Sequence, residues 1–185
     1  MIEILSAFGL SAATGLNAYL PLLIVGLLAR FTDLVTLKSP WNTLENPWVL
    51  GVLVVLLAIE MTVDKIPAVD TVNDAIQTFI RPASGAILFA SSANVITEVS
   101  TALALICGLL AAGGVHAAKT TARPVITAST LGVGNPVVSV AEDVVSATTT
   151  VVAIVLPALA AAFVLCALAL FGWWVWRRRR RRTAS

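Results

Sequence analysis

Long apolar stretches, divided by short clusters of ionic residues, limit what this chain can fold into. No charged side chain occurs from Ile4 to Ala29. Further apolar stretches run over Trp48–Val63, Val99–Ala118 and Val151–Trp176. Crossing the hydrocarbon of a bilayer takes roughly 20 mostly apolar residues in a helix. Only 12% of residues are charged, against about 25% in a soluble domain. With 58% hydrophobic residues and a mean hydropathy of +0.94, the chain has too few polar groups to coat a water-facing surface. The expected fold is therefore all-α. It is a polytopic transmembrane bundle of four full spans, with one or two broken or re-entrant segments between them. Residues 1–176 form the membrane domain and 177–185 a tail.

The net charge of +2 conceals an asymmetry. Six of the twelve basic residues are the run Arg177, Arg178, Arg179, Arg180, Arg181 and Arg182, without which the rest carries −4. Such a body excludes nucleic acid as a partner. An arginine run beside a span is a topology signal for the cytoplasmic face and suits anionic headgroups. With four spans the N-terminus is expected on that face too. The start, Met1-Ile2-Glu3, lacks the positive region of a cleaved signal. Cys107 and Cys166 sit in apolar stretches and read as buried small side chains. No Cys/His spacing suits a metal, and no metal or cofactor is expected.

Between the spans the pattern changes. Residues 31–47 are a polar loop. From 68 to 81, apolar residues at helical spacing with Asp70, Asp74 and Gln77 off the stripe predict a short interfacial helix ending at Arg81-Pro82. Residues 83–96 read as a poor span or a re-entrant element. Residues 119–150 read either as an external loop or as irregular backbone lining a cavity. Pro21 reads as a kink within the first span. Ala104, Gly108, Ala112 and His116 recur every four residues, and Ala7, Ser11 and Gly15 do likewise. Small residues so spaced let helices approach closely in lipid. Two Arg-Pro pairs and two Gly/Asn sites, in reversed order, suggest an inverted repeat, a device of transporters.

Glu60 and Asp64 share one helix face, with Lys65 directly after. His116, Lys119 and Arg123 share another. Glu142 and Asp143 are further candidates. Ionic groups in lipid must pair or face water, so the acidic face is expected against the basic one. In the plainer reading these charges mark helix ends and fix topology. In the functional reading they line an ion or substrate pathway, with Glu60 its deepest carboxylate. Asn17, mid-span, reads as hydrogen-bonding glue between helices or as part of that pathway. No nucleophile elbow, phosphate-binding loop or metalloprotease motif is present, so catalysis is not expected.

Gly15-Leu16-Asn17-Ala18-Tyr19-Leu20-Pro21-Leu22-Leu23 with Gly26 and Ala29-Arg30 resembles the start of bacterial membrane proteins grouped as domain of unknown function 4126. Glu60, Asp64-Lys65-Ile66-Pro67, Asp70, Arg81-Pro82 and Gly85 resemble that family's central motif. His116-Ala117-Ala118-Lys119, Arg123, Asn135-Pro136, Ser139 and Glu142-Asp143 resemble a third block. The resemblance covers about residues 5–170 and leaves the arginine tail outside. It implies a multi-spanning protein of a bacterial cytoplasmic membrane and no settled activity. The functional expectation is a small transporter or channel-like protein for an ion or small polar metabolite. The rival is a non-catalytic membrane scaffold or assembly factor. Expected partners are the bilayer, anionic headgroups at the tail and a second copy of the chain.

Overall fold

The computed structural model describes residues 2–63, 67–92, 100–155, 165–174 and 177. Asp64, Lys65 and Arg178–Arg182 lie outside them. The described residues are helical, without strands: α1 Ile2–Thr14, α2 Leu20–Phe31, a 3₁₀ turn Trp41–Glu45, α3 Pro47–Val63, α4 Pro67–Ser91, α5 Thr101–Thr130, α6 Asn135–Val155 and α7 Leu165–Trp174. Two of these, α5 and α6, are long and apolar enough to cross a membrane; α2, α3 and α7 are shorter apolar helices.

The first apolar stretch is not one span. It breaks at 15–19, and α2 turns back beside α1. Glu3, Ser6 and Leu10 of α1 line one pocket with Val25 of α2 and Leu34–Leu37 beyond it. A continuous helix would hold Glu3 about 40 Å from those last residues. Pro21 is not a kink. It stands in the first turn of α2, where a missing N–H breaks no helical bond.

Side-chain bonds fix the direction of the other helices. Ser6 Oγ donates to Ala153 O (2.5 Å), Ser146 Oγ to Ala13 O (2.9 Å), and Asn17 Nδ2 to Asp143 Oδ1 (2.9 Å). Rising numbers on α1 meet falling numbers on α6, so the two are antiparallel. The Phe8–Phe89 edge contact at 4.8 Å and the Ser11–Gly85 O bond at 2.8 Å set α4 antiparallel to α1 as well. Leu50 of α3 packs beside Gly26 of α2, while Glu60 meets Ala18 at the hairpin tip. One end of the bundle therefore carries the start of α1, the 32–46 loop and the end of α6. The opposite end carries the α5–α6 turn. Leu165 lies with Leu5 and Cys107, and Phe171 with Leu16 and Lys119, so α7 runs toward that opposite end.

The expected break at Arg81-Pro82 is absent: α4 continues through Pro82, and α5 continues through Pro124. A proline inside a helix costs about 3 kcal/mol, offset here by packing, such as the Pro82 ring against Gly113. Residues 119–150 are not a loop. They form the second half of α5, a tight turn with Leu131 and Gly132 at φ 53° and 85°, and most of α6. The last predicted span therefore begins in α6 and resumes in α7 after the chain reverses. Cys166 is exposed rather than buried, and Cys107 half-buried.

The small-residue seams form the crossing of α1, α4 and α5. A Cβ on Gly85 would meet Ala112 and come within 2.8 Å of Gly108 O; one on Gly15 would lie 2.5 Å from Ala112 O. Beside an apolar core that includes Leu22, Leu50, Leu53 and Leu88, several helices also bury polar residues and expose apolar ones. α3 buries Glu60 and exposes Val52, Val55 and Ile59. α4 buries Gln77 and Arg81 and exposes Ile76 and Phe79, so the polar side of the predicted interfacial helix faces the protein interior. α5 buries His116, Lys119 and Arg123, while α6 buries Asn135, Ser139 and Asp143 beneath exposed Val137, Val140 and Val144.

Candidate functional site

The break at 15–19 collects the ionic residues. Unwound backbone leaves N–H and C=O groups without helical partners, and such groups must be bonded when buried. Here side chains from three other helices bond them. Ala18 N–H donates to both oxygens of Glu60 (3.2 and 3.1 Å). Leu16 O accepts from Lys119 Nζ (3.3 Å), and Ala13 O from Ser146. Asn17 works in two directions. Its Oδ1 accepts from Tyr19 N–H (3.2 Å) and Leu20 N–H (2.9 Å), capping α2, while its amide reaches Asp143 on α6.

Two ionic networks flank the tip. In the first, Arg81 is fully buried and donates Nε and Nη2 to Oε1 of Glu60, itself 1% exposed, at 3.3 and 3.1 Å. Arg81 Nη1 lies 3.5 Å from Asp74 Oδ1 and 3.0 Å from His116 Nδ1. Thr78 Oγ1 donates to Asp74 O and is 3.1 Å from His116 Nε2. An arginine N–H only donates, so Nδ1 accepts. With the Thr78 proton used on Asp74 O, Nε2 donates. This assigns His116 the neutral Nε2–H tautomer.

In the second network, Glu142 Oε2 receives Lys119 Nζ (3.1 Å) and Arg123 Nη2 (2.6 Å). Thr127 donates to Arg123 O and accepts from Asn135 Nδ2 (3.0 Å), which ties the α5–α6 turn to this cluster.

Among the described residues Glu60 pairs with Arg81, and Glu142 pairs with Lys119 and Arg123. Asp64, the other member of the acidic face, lies outside the described residues. The structure brings Asn17, Glu60, His116, Lys119, Arg123, Glu142 and Asp143 around one tip. Arg81, Asp74, Gln77, Asn135 and Ser146 belong there too. Sequence reasoning read Arg81 as a helix stop. Its signal was that Asp74, Gln77 and Arg81 share one helical face, each i+3 or i+4 from the next.

A family model matches residues 4–178, under the description domain of unknown function (DUF4126). The chain belongs to the DUF4126 family. The match covers both networks and α7, and reaches the first two arginines of the tail, further than the motifs alone indicate. Neither curated proteins nor solved structures match the chain. In this family member the sequence blocks around Asn17, Glu60, Arg81, His116–Arg123 and Glu142–Asp143 meet at one place in the fold.

Proposed function

We propose that this DUF4126 protein is a multi-pass membrane transporter or channel-like protein for an ion or small polar metabolite, with the α1–α2 hairpin tip at its pathway. The observation carrying this reading is the unwound tip, whose backbone is bonded by Glu60, Lys119 and, through Asn17, Asp143. Discontinuous helices that meet ionic side chains near mid-depth are how transporters build substrate sites. The tip supports that depth: Lys119 stands near the middle of α5, a helix about 45 Å long.

Lipid as the surrounding medium is supported by the polar-in, apolar-out arrangement of α3 to α6. In water that arrangement would expose large contiguous apolar faces and bury ions at a cost of several kcal/mol each. The hairpin removes one crossing from the sequence-based count of four, α4 adds one, and the division of the last stretch between α6 and α7 adds another. Helices α3 to α7 then make five passages, and the termini fall on opposite faces. The arginine tail favours the cytoplasm for the C-terminus of what the resemblance makes a bacterial plasma-membrane protein. This reading sets the N-terminus outside, against the sequence-based expectation.

The test is proton and solute flux in proteoliposomes. Glu60→Gln and Lys119→Met, made singly, are expected to lower flux at least tenfold. Wild-type flux in both variants rejects the pathway. A scaffold role is the second reading, favoured by the close Gly85–Gly108–Ala112 crossing, which suits a rigid bundle. Absence of any wild-type flux, in protein that retains its helix content, would favour it.

A further inference from the structure

The Glu60 carboxylate is held by groups that belong to other elements of the fold. Ala18 N–H bonds both of its oxygens at the start of the 12-residue α2, where the helix dipole adds positive potential. Arg81 on α4 adds two further N–H bonds. The cradle is thus built by α2 and α4, while its occupant is supplied by α3.

A second, independent feature lies beside it. Gln77 is buried, one turn before Arg81 on the same face of α4. The Gln77 carbonyl Oε1 has no hydrogen-bond partner. A buried acceptor left open is costly and is suited to an incoming O–H.

We propose, resting on the transport reading, that the Ala18–Arg81 cradle is a binding site for a small carboxylate, and that Glu60 is its resident stand-in. A proton from water converts the Glu60 carboxylate to the acid. Its hold on Arg81 falls, and the entering carboxylate takes the vacated N–H donors. Charge balance couples the two events. The inward-facing ionic groups described are the carboxylates Glu60, Asp74, Glu142 and Asp143 and the cations Arg81, Lys119 and Arg123. A carboxylate entering alone adds a negative charge to a buried site; one entering with a proton adds none. Asp74 and Glu142, with side chains 13% and 14% exposed, are the least buried carboxylates of the two networks.

The first experiment measures thermal unfolding of Glu60→Ala in detergent, in sodium formate and in sodium chloride of equal ionic strength. Formate is expected to raise Tm by about 5 °C, with less than half that effect from chloride. Wild type and Glu60→Ala/Arg81→Met are expected not to respond. If Glu60→Ala folds only in formate, its recovery there is the same result. Failure to fold in formate, no shift, or an equal shift in chloride overturns the proposal. The second experiment follows radiolabelled pyruvate into wild-type proteoliposomes. Uptake is expected to rise when the outside is acidified and to vanish in Arg81→Met. Proton or solute flux without pyruvate uptake overturns the carboxylate assignment and leaves the transport reading standing. Formate rescue without flux of any kind overturns the transport reading and the exchange built on it.

Discussion

Replacing Arg81 with methionine tests whether the first ionic network holds the hairpin tip. Methionine keeps much of the side-chain volume and removes four contacts: two to Glu60, one to Asp74 and one to His116. Glu60 would then be a buried carboxylate that has lost both guanidinium bonds and keeps the Ala18 N–H. Removing one member of a buried pair costs about 3–5 kcal/mol, most of it the stranded charge. The pair is 0% and 1% exposed, so solvent does not screen it. In lipid or detergent the unfolded chain also finds polar partners, which favours the lower figure. For a chain of this length each kcal/mol moves Tm by about 2–4 °C, so Arg81→Met should melt about 9 °C below wild type. Glu60→Gln in the same molecule removes the stranded charge, and its amide oxygen still accepts from Ala18 N–H. The double variant should recover at least half of the loss; Asp74 and His116 account for the remainder. Melting can be followed by a thiol-reactive dye in a Cys166→Ser background, since Cys107 is half-buried in the α1–α5 region and Cys166 is exposed. Arg81→Met melting within about 2 °C of wild type, or a double variant no more stable than the single, would refute the reasoning.

Other substitutions separate packing, hydrogen bonding and topology. Gly85→Ala should destabilise by about 1–3 kcal/mol, because its Cβ meets Ala112 and backbone. Gly51→Ala, with open space around it, should be neutral or raise Tm slightly; equal behaviour of the two would dissolve the close crossing. His116→Gln can accept from Arg81 and donate to Thr78, so it should melt near wild type. His116→Lys sets a cation against Arg81 and should melt well below it; the reverse order would reject the assigned tautomer. Asn17→Leu should cost about 1–3 kcal/mol in the same melting assay, as it strips the α2 cap and the Asp143 bond. For topology, a cysteine at Thr36 should react with an impermeant maleimide on intact cells, and one at Ser185 only after lysis. Equal labelling would reject opposite faces for the termini.

Much of the fold was legible where one physical rule acts alone. The four-residue seam of α5 was readable because only small side chains allow two backbones to touch, and Ala104 and Ala112 are fully buried there. The hairpin was not. Hydropathy over Ile4–Ala29 is the same for one long helix and for two half-length helices folded back. The clues were Gly15 and Asn17 four residues or more before Pro21, a break followed by a helix start rather than a kink. Arg81 was missed for a related reason. Arg-Pro is a local stop signal, and only tertiary packing, with Glu60 at hand to neutralise the guanidinium, lets α4 run on. Pairing was the least legible level. Glu60 and Arg81 are 21 residues apart, Arg123 and Glu142 are 19 apart, and nothing local distinguishes those partners from other ionic residues at similar distances.

The two ion pairs differ in a way that bears on mechanism. Glu142 is held by two cations from a single helix, Lys119 and Arg123 on α5. Motion of α6 against α5 would break both contacts together. Glu60 is held from two directions, by the α2 terminus and by α4, so α3 can withdraw without separating those two elements. Withdrawal needs only a proton on one carboxylate, whereas parting α5 from α6 breaks two ion pairs at once. If either pair opens during a working cycle, the Glu60 pair opens at lower cost. Crosslinks then distinguish the helices: a disulfide between α5 and α6 near Thr127 and Asn135 should leave flux intact, and one fixing α3 to α2 near Leu50 and Gly26 should abolish it. Loss of flux only with the α5–α6 crosslink would assign the moving part to the other network.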